Sequence, residues 1–454
     1  MDNNISKTFC IYPWMHQMID TDGSVKLCCV AEAPTKKLEG SHMHVSKNKL
    51  SHLWNDEYMK DIRERMIQGK QIKDCGQCYR KERNNEYSFR QRANDDWANK
   101  VKEVKQYYED YNAELVNTQY TTSFQGMRLD QKKVRESKHV MPDLPIYLDI
   151  RFGNLCNLRC RMCTGMYSSE LGEELENIAN KNEKFRLLAP DSAKTYTFDW
   201  YNIDSDIWTE LELYMPHVKL IYLTGGEPTL VEGNYQFLQK LIEKGYAKNI
   251  SLVFNTNVTN AQKRFLNIIG EFRRVSLNLS IDGIEGIQEY IRYPSKWSAI
   301  TKNVSTIIDH ARLSNTKIDL YFTPTVNIIN VNNLHKIIEW AYNLASNNQH
   351  NNIKWDIQAI FLHGPEFMDM IHSTIEYRNL CLDNLNKVTK EQLQFFPCLE
   401  KFYNEVVDTL KNQYDETLYS ASKRAQLKLW NKEIDKKRGI NIKNYVSYSE
   451  MLYE

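Results

Sequence analysis

Six short apolar runs, with helical patterns between them, fill the middle of this chain: IYLDIRF (146–152), VKLIYL (218–223), NISLVF (249–254), VSLNLSI (275–281), KIDLYF (317–322) and IKWDIQAI (353–360). Between them, YQFLQKLIEKG (235–245) and NLHKIIEWAYNLA (333–345) repeat apolar residues at helical spacing. Strands that alternate with helices pair in parallel through crossovers, so the pattern predicts an α/β fold of six β/α units. The loops after the strands then share one end, where function gathers in such folds.

The remainder of the chain divides around this core. Residues 1–83 hold an extended stretch, an Asp22-Gly23 turn and SVKLCC, which reads as a hairpin. Leu50, Leu53, Trp54, Met59, Ile62 and Met66 then mark one helix that Gly69 stops, just before Cys75 and Cys78. So few residues bury little core, and a metal staple would suit them. Residues 84–142 read as a helical linker, with a helix around 94–113. The core spans 143–365, and 366–454 is helical, its charged stretch 408–437 expected as a solvated outer helix pair.

Of 454 residues, 42% are hydrophobic and 26% charged, which excludes disorder as the default. A net charge of +1 gives no basic field for phosphate backbones, so nucleic acid is not favoured as a partner. MDNNISKTFC has no basic-then-apolar signal and no 18-residue apolar run occurs, so the expectation is a cytoplasmic protein with no membrane association. There the ten cysteines stay reduced, and their clustering points to metal ligands. Three lie at 156–163, five within the first 80 residues, and Cys381 and Cys398 stand apart.

NLCNLRCRMC (154–163) places Cys156, Cys160 and Cys163 in the loop after the first core strand. Thiolates are soft ligands that suit iron-sulfur clusters or zinc. A structural zinc wants four ligands, and no nearby residue supplies the fourth. Three cysteines on a four-iron cluster would leave one iron free for another ligand. CNLRCRMC at this place resembles the cluster loop of the radical S-adenosylmethionine (radical SAM) enzymes, whose fold is a partial (β/α)6 TIM-like barrel. LIYLTGGEP, ending the second strand, is similar to the family's GGEP motif in Gly225, Gly226, Glu227 and Pro228.

The resemblance implies that the free iron chelates the SAM amine and carboxylate, and that Gly225, Gly226 and Glu227 line the methionyl group. Ser280 and Asp282 of LSIDG would meet the ribose and carboxylate, and Arg292 of EYIRYP would pair with the carboxylate through its forked donors. Asn255, Thr256 and Asn257 fall in the same mouth, and Thr325 and Asn327 do so by position alone. Met162 stands where the family places an aromatic residue near adenine; its polarizable sulfur can fill that space.

CIYPW, the hairpin to Cys28-Cys29, LWNDEYMKDIRERMIQGK and CGQC resemble the auxiliary-cluster module called twitch, a shortened SPASM, here preceding the core. That resemblance implies an auxiliary four-iron cluster on Cys10, Cys75, Cys78 and one of Cys28 or Cys29. Alternation from Val25 points Leu27 and Cys29 the same way and favours Cys28; a register slip would favour Cys29. Zinc is the rival ligand for this spacing.

The implied activity is reductive cleavage of SAM to a 5′-deoxyadenosyl radical and hydrogen abstraction from a peptide or small-molecule substrate. The auxiliary cluster would share in electron transfer, and flavodoxin or ferredoxin would supply the electron. No leader-binding domain is evident at the N-terminus, which weighs somewhat against a peptide. The rival readings are a non-catalytic iron-sulfur or zinc redox sensor, and a radical SAM enzyme that modifies RNA. Among the remaining residues, Cys381 and Cys398 read as buried small hydrophobes, Tyr12, Pro13 and Trp14 as core, and His363 as a loop histidine that could reach substrate, although loop histidines are usually structural.

Overall fold

The computed structural model describes residues 5–35, 40–83, 87–109, 139–141, 143–188, 194–362, 364–412 and 418–453. His363 and most of the expected linker, 110–138, lie outside them. The chain forms two compact units, one of Met1–Ile150 with Asp199–Ile221, the other of Arg151–Phe198 with Tyr222–Glu454.

In the first unit the hairpin is present. Strand β1 (His16–Ile19) runs antiparallel to β2 (Val25–Lys26), with Ile19 opposite Val25. Gly23 turns the chain at φ +84°, and a Cβ there would come within 2.9 Å of both the His44 and Trp200 rings. Conformation and space therefore both require glycine. Local pattern did not show that β1 also pairs in parallel with the first core strand, β3 (Tyr147–Ile150), His16 beside Tyr147 through Ile19 beside Ile150. Segment 199–221 joins the same unit through Trp200 Nε1 to Thr21 O (2.8 Å), the Tyr214 hydroxyl to Gln17 (2.7 Å) and Glu210, which accepts from Ser51 N and Oγ.

The expected single helix over 50–66 is two, Leu50–Trp54 and Glu57–Ile67, because Asp56 adopts an extended backbone and caps the second by accepting from Tyr58 N. Arg63 explains why the break is kept. Fully buried, it donates to the carbonyls of Pro13 (2.8 Å), Trp54 (2.7 Å) and His139 (2.9 Å) and to Asn55 Oδ1, and it lies 4.5 Å from the Trp54 ring centroid. Burial lowers its pKa to about 9. One side chain thus ties the YPW turn to the helix break, and Tyr12 and Trp14 are buried as expected.

The boundary between the units falls within β4 (Leu220–Leu223). In the second unit β5 (Ser251–Thr256), β6 (Arg274–Leu279), β7 (Lys317–Phe322) and β9 (Ile353–Ile357) run parallel in that order, while the two-residue β8 (Thr325–Val326) and β10 (Ile360–Phe361) pair separately. Leu252, Phe254, Leu277, Leu279, Leu320 and Phe322 bury one face of these strands. Helices Glu232–Glu243, Lys263–Ile269, Trp297–Leu313 and Leu334–Asn347 fall between strands, and helices follow from Ile375. The expected architecture of parallel strands, intervening helices and a helical C-terminal region is present. One expectation needs correction: in the helix Leu418–Arg438 the residues Arg424, Leu427, Trp430, Asn431, Ile434 and Asp435 are buried, so the charged stretch is not simply a solvated pair.

Replacing Arg63 by leucine leaves three buried carbonyls without donors. We expect a loss of about 3 kcal/mol or more, read by urea denaturation with tryptophan fluorescence, with Arg63→Lys recovering only part because a single ammonium cannot copy the fork.

Candidate functional site

The cysteine loop has little regular structure of its own, so its shape comes from what holds it. Asn154 Nδ2 donates to Gly165 O (2.8 Å), and the Ser168 hydroxyl donates to Leu158 O (2.8 Å) while capping the helix Ser169–Ala179. Arg159 N and Arg161 N bond to Tyr293 O and Ile291 O. From the end of β4, Glu227 N donates to Leu155 O (2.8 Å), and a Cβ on Gly226 would lie 2.2 Å from that same carbonyl oxygen. Gly225 sits at φ +114°. The two glycines let the β4 turn press directly on the cysteine loop.

Cys160 is buried, and Cys156 and Cys163 partly so. Burial pushes the three thiols up, Cys163 to about 12, and neighbouring cysteines raise Cys156 and Cys163 further, while the nearby Arg292 pulls Cys160 and Cys163 back. Such thiols ionise readily only against added positive charge, which a bound cationic iron provides. Among the described residues no three His, Cys, Asp or Glu side chains converge closely enough to grip one metal ion. The donor set is three soft thiols on one loop, and it fits a four-iron cluster with one iron left for another ligand.

Glu227 is fully buried. Its Oε1 accepts from Thr229 N (3.2 Å), Thr229 Oγ1 (2.6 Å) and Thr256 Oγ1 (2.9 Å), and its Oε2 from Asn257 N (2.7 Å). Burial raises its pKa, and these donors oppose the rise. Asn257 in turn extends Nδ2 to Asn157 Oδ1 (3.0 Å) and towards Cys156 Sγ (4.0 Å). Asn255 lies lower, between Tyr222 and Asn278.

Asp282 and Arg292 meet each other. Asp282 is buried; its Oδ2 accepts from Arg292 Nε (2.6 Å) and its Oδ1 from Thr325 N (2.7 Å). Arg292 also places Nη1 3.8 Å from Cys160 Sγ. Ser280 is half-buried beyond β6, Met162 is half-buried in the loop, and Asn327 builds its own turn by accepting from Ile329 N.

Sequence reasoning missed the clamp on the other side of the loop. Arg161, fully buried, lies 3.6 Å from the Tyr290 ring centroid, donates to Asn431 Oδ1 (3.0 Å) and forms an ion pair with Asp435. Arg438 makes a two-bond pair with Glu174 and donates to Arg159 O (2.6 Å). The arginines on either side of Cys160 were the available signal, but the Arg161 partners Asn431 and Asp435, and the Arg438 that donates to Arg159 O, lie far along the chain.

In the first unit Cys10 and Cys78 are buried, Cys28 and Cys75 partly so, and Cys29 is exposed. Cys28 is raised well above its ordinary value by burial and by Cys29, Cys10 and Cys75; Cys10, pushed up to about 12, feels Cys78. Cys75 in turn is raised by burial and by Cys10 and Cys78. Cys28 thus lies near Cys10 and Cys75, and Cys10 near Cys78. Arg90, which sequence reasoning also missed, is held by Glu82 (2.5 Å), donates to Phe9 O (2.7 Å) and lowers Cys10, Cys75 and Cys78. Elsewhere Cys381 is buried as expected, but Cys398 is exposed, its N–H donating to Asp356 Oδ1 (3.1 Å).

Comparison with known proteins agrees with the two thiol groups. Residues 150–338 match the radical SAM superfamily, and residues 10–79 match SPASM, an iron-sulfur cluster-binding domain. The chain carries a radical SAM domain and a SPASM domain. Their cofactors are SAM and 4Fe–4S clusters. No curated protein matches the chain significantly. Among solved structures, native anSMEcpe with bound AdoMet is similar at 16% identity and a TM-score of 0.33, covering 63% of this chain and 66% of that one. Streptococcus suis SuiB bound to its precursor peptide SuiA is similar at 14% and 0.31, covering 57% and 50%, and SuiB bound to S-adenosylmethionine at 12% and 0.32, covering 66% and 65%. The chain thus spans one half to about two thirds of these structures. Among the described residues no helix is long and apolar enough to cross a membrane.

Two substitutions test the seat of the loop. Gly226→Ala drives a methyl group into Leu155 O, so the radical SAM domain should bind less iron while the SPASM domain keeps its own. Asp435→Asn leaves Arg161 buried without its carboxylate; we expect about 3–5 kcal/mol of lost stability and reduced iron retention on gel filtration, partly restored by adding Arg161→Met.

Proposed function

We propose that the chain is a radical SAM enzyme in which Cys156, Cys160 and Cys163 hold the SAM-binding 4Fe–4S cluster. Cys10, Cys28, Cys75 and Cys78 hold an auxiliary 4Fe–4S cluster. One observation carries the reading: three thiols, one buried and two half-buried, lie on a loop against which the GGEP turn is packed through Gly226 and Glu227. When bound, SAM and a reduced four-iron cluster supply a 5′-deoxyadenosyl radical able to take a hydrogen atom from substrate.

The chain's own residues position and shield. Glu227 fixes the ends of β4 and β5 to each other, so that Gly225, Gly226 and Asn257 keep a constant place beside the loop. Asp282 holds the Arg292 guanidinium against Cys160, where one positive charge offsets part of the thiolates' negative charge. Ser280 and Met162 complete the mouth around SAM. In the SPASM domain, Arg90 plays the corresponding part beside Cys10, Cys75 and Cys78.

The substrate is a peptide or a small molecule, the electron comes from a flavodoxin or ferredoxin, and the setting is the cytoplasm. An auxiliary cluster held by Cys10, Cys28, Cys75 and Cys78 would supply a one-electron acceptor, which suits a net oxidation.

Anaerobic reconstitution should give about eight irons per chain, as two four-iron clusters require. With dithionite and SAM the protein should release 5′-deoxyadenosine. Cys163→Ala should keep about four irons, those of the auxiliary cluster, and lose 5′-deoxyadenosine. Wild-type protein that binds its irons yet neither cleaves SAM nor changes its cluster spectrum on SAM addition would mark it as a non-catalytic iron-sulfur protein; stoichiometric zinc with half the iron would remove the auxiliary cluster.

A further inference from the structure

Strands β5, β6 and β7 differ on their two faces. Phe254, Leu277 and Leu320 are buried, whereas Asn255, Asn278 and Tyr321, on the alternate face, remain half-exposed. Register sets Asn255 beside Asn278, Asn278 beside Tyr321 and Tyr321 beside Asp356 of β9. Each stands one residue before the end of its strand, as Tyr222 does in β4. The row therefore lies directly beneath the loops that carry Asn257, Ser280 and Asp282.

Within the row hydrogen bonds run one way. Asn278 Nδ2 donates to Asn255 Oδ1 (2.7 Å), and Asn255 Nδ2 donates to the Tyr222 hydroxyl. Asn278 Oδ1 and the Tyr321 hydroxyl have no partner among the described residues. They sit on neighbouring strands in register, on an accessible face. Folding alone gives no reason to line a strand face with carboxamides, which are poor strand formers.

Charge narrows what could sit there. Arg274 is committed to Asp319 by two bonds (2.6 and 2.9 Å), and Ser276 Oγ also donates to that carboxylate (3.2 Å). Asp356 accepts from Ile357 N and Cys398 N. An anion on the row would meet Asp319 and Asp356; the cation beside it, Lys354, lies 5.9 Å from the Tyr321 ring centroid. Burial and the nearby Asp319 push the Tyr321 phenol up to about 12, so it stays a donor.

We propose that Asn278 and Tyr321 orient the substrate by pairing with a neutral amide group, Asn278 Oδ1 accepting its N–H and the Tyr321 hydroxyl donating to its carbonyl. The assignment of this partner as substrate rests on the radical SAM reading; the binding itself does not. Acetamide and N-methylacetamide separate a side-chain carboxamide from a backbone amide, and acetate is the charged isostere of the first. Saturation-transfer NMR on reconstituted protein with SAM present should show at least one amide binding and acetate not. Tyr321→Phe and Asn278→Leu should each weaken the amide by about fivefold, the loss of one neutral hydrogen bond. Neither residue touches the cluster loop, so both variants should keep wild-type iron content and 5′-deoxyadenosine release without substrate. Acetate binding as well as the amides, or amide binding unchanged in both variants, would overturn the proposal. Absence of 5′-deoxyadenosine from wild-type protein would instead count against the enzyme reading, since the NMR comparison needs no turnover.

Discussion

The second unit turns on a backbone contact in which no side chain takes part. Leu155 O accepts from Glu227 N, and Gly226 lies so close to that carbonyl that no Cβ fits. A loop without regular structure cannot fix three thiols by itself, because every residue in it carries conformational entropy that something must offset. Here the offset comes from two directions. The β4 turn presses on Leu155, and buried guanidinium groups draw Arg159 and Arg161 towards Glu174, Arg438, Asn431 and Asp435. A buried ion pair adds little net stability compared with an apolar replacement, since desolvation consumes most of the attraction. Its value is directional: Arg161 satisfies its donors in one orientation, and Cys160 is held where that orientation puts it.

The two thiol groups solve the same electrostatic problem independently. Burial and crowding raise the cysteines in both, so neither would ionise without nearby positive charge. Each group has an anchored arginine beside it, Arg292 for the loop cysteines and Arg90 for the SPASM cysteines, each held by a carboxylate, Asp282 or Glu82. The anchored pair keeps the guanidinium in place without leaving an unpaired buried cation, a costly arrangement. Arg292 and Asp282 were expected at a ligand; their first partners are each other. Their joint effect on Cys160 is a property neither residue shows alone.

What the sequence made legible was local. Strand and helix periods located β3, β4, β5, β6, β7 and β9 to within a few residues, and the cysteine spacings located both thiol groups. Features that depend on distant partners were not visible. The parallel pairing of β1 with β3 leaves no trace in the period of either strand, since alternation reports a buried face and not a neighbour. Asp435 looked like one charge among many in a polar stretch; its burial is set by Arg161, some 270 residues earlier. The break at Asn55–Asp56 was in principle readable, because aspartate before a glutamate-led helix is a capping signal. The apolar spacing on either side outweighed it.

Backbone strain shows how closely the mouth is specified. Val258, a β-branched residue, is held at φ +61° in the turn that follows β5 through Asn257. Such a conformation costs about 1–3 kcal/mol and persists only where its surroundings determine it. The surroundings do so here. Val258 N donates to Thr256 Oγ1 (3.1 Å), Asn303 Nδ2 donates to Val258 O (2.9 Å), and the side chain is fully buried. The turn so formed faces Asn257 N towards Glu227 while its side chain reaches Asn157 and approaches Cys156. Glycine at 258 would relieve the strain, but the unfolded chain would gain freedom and the buried side chain that anchors the turn would be gone. A strained valine is thus consistent with a site that needs Asn257 in one place, because relaxed alternatives would release the residue that joins the end of β5 to the cysteine loop.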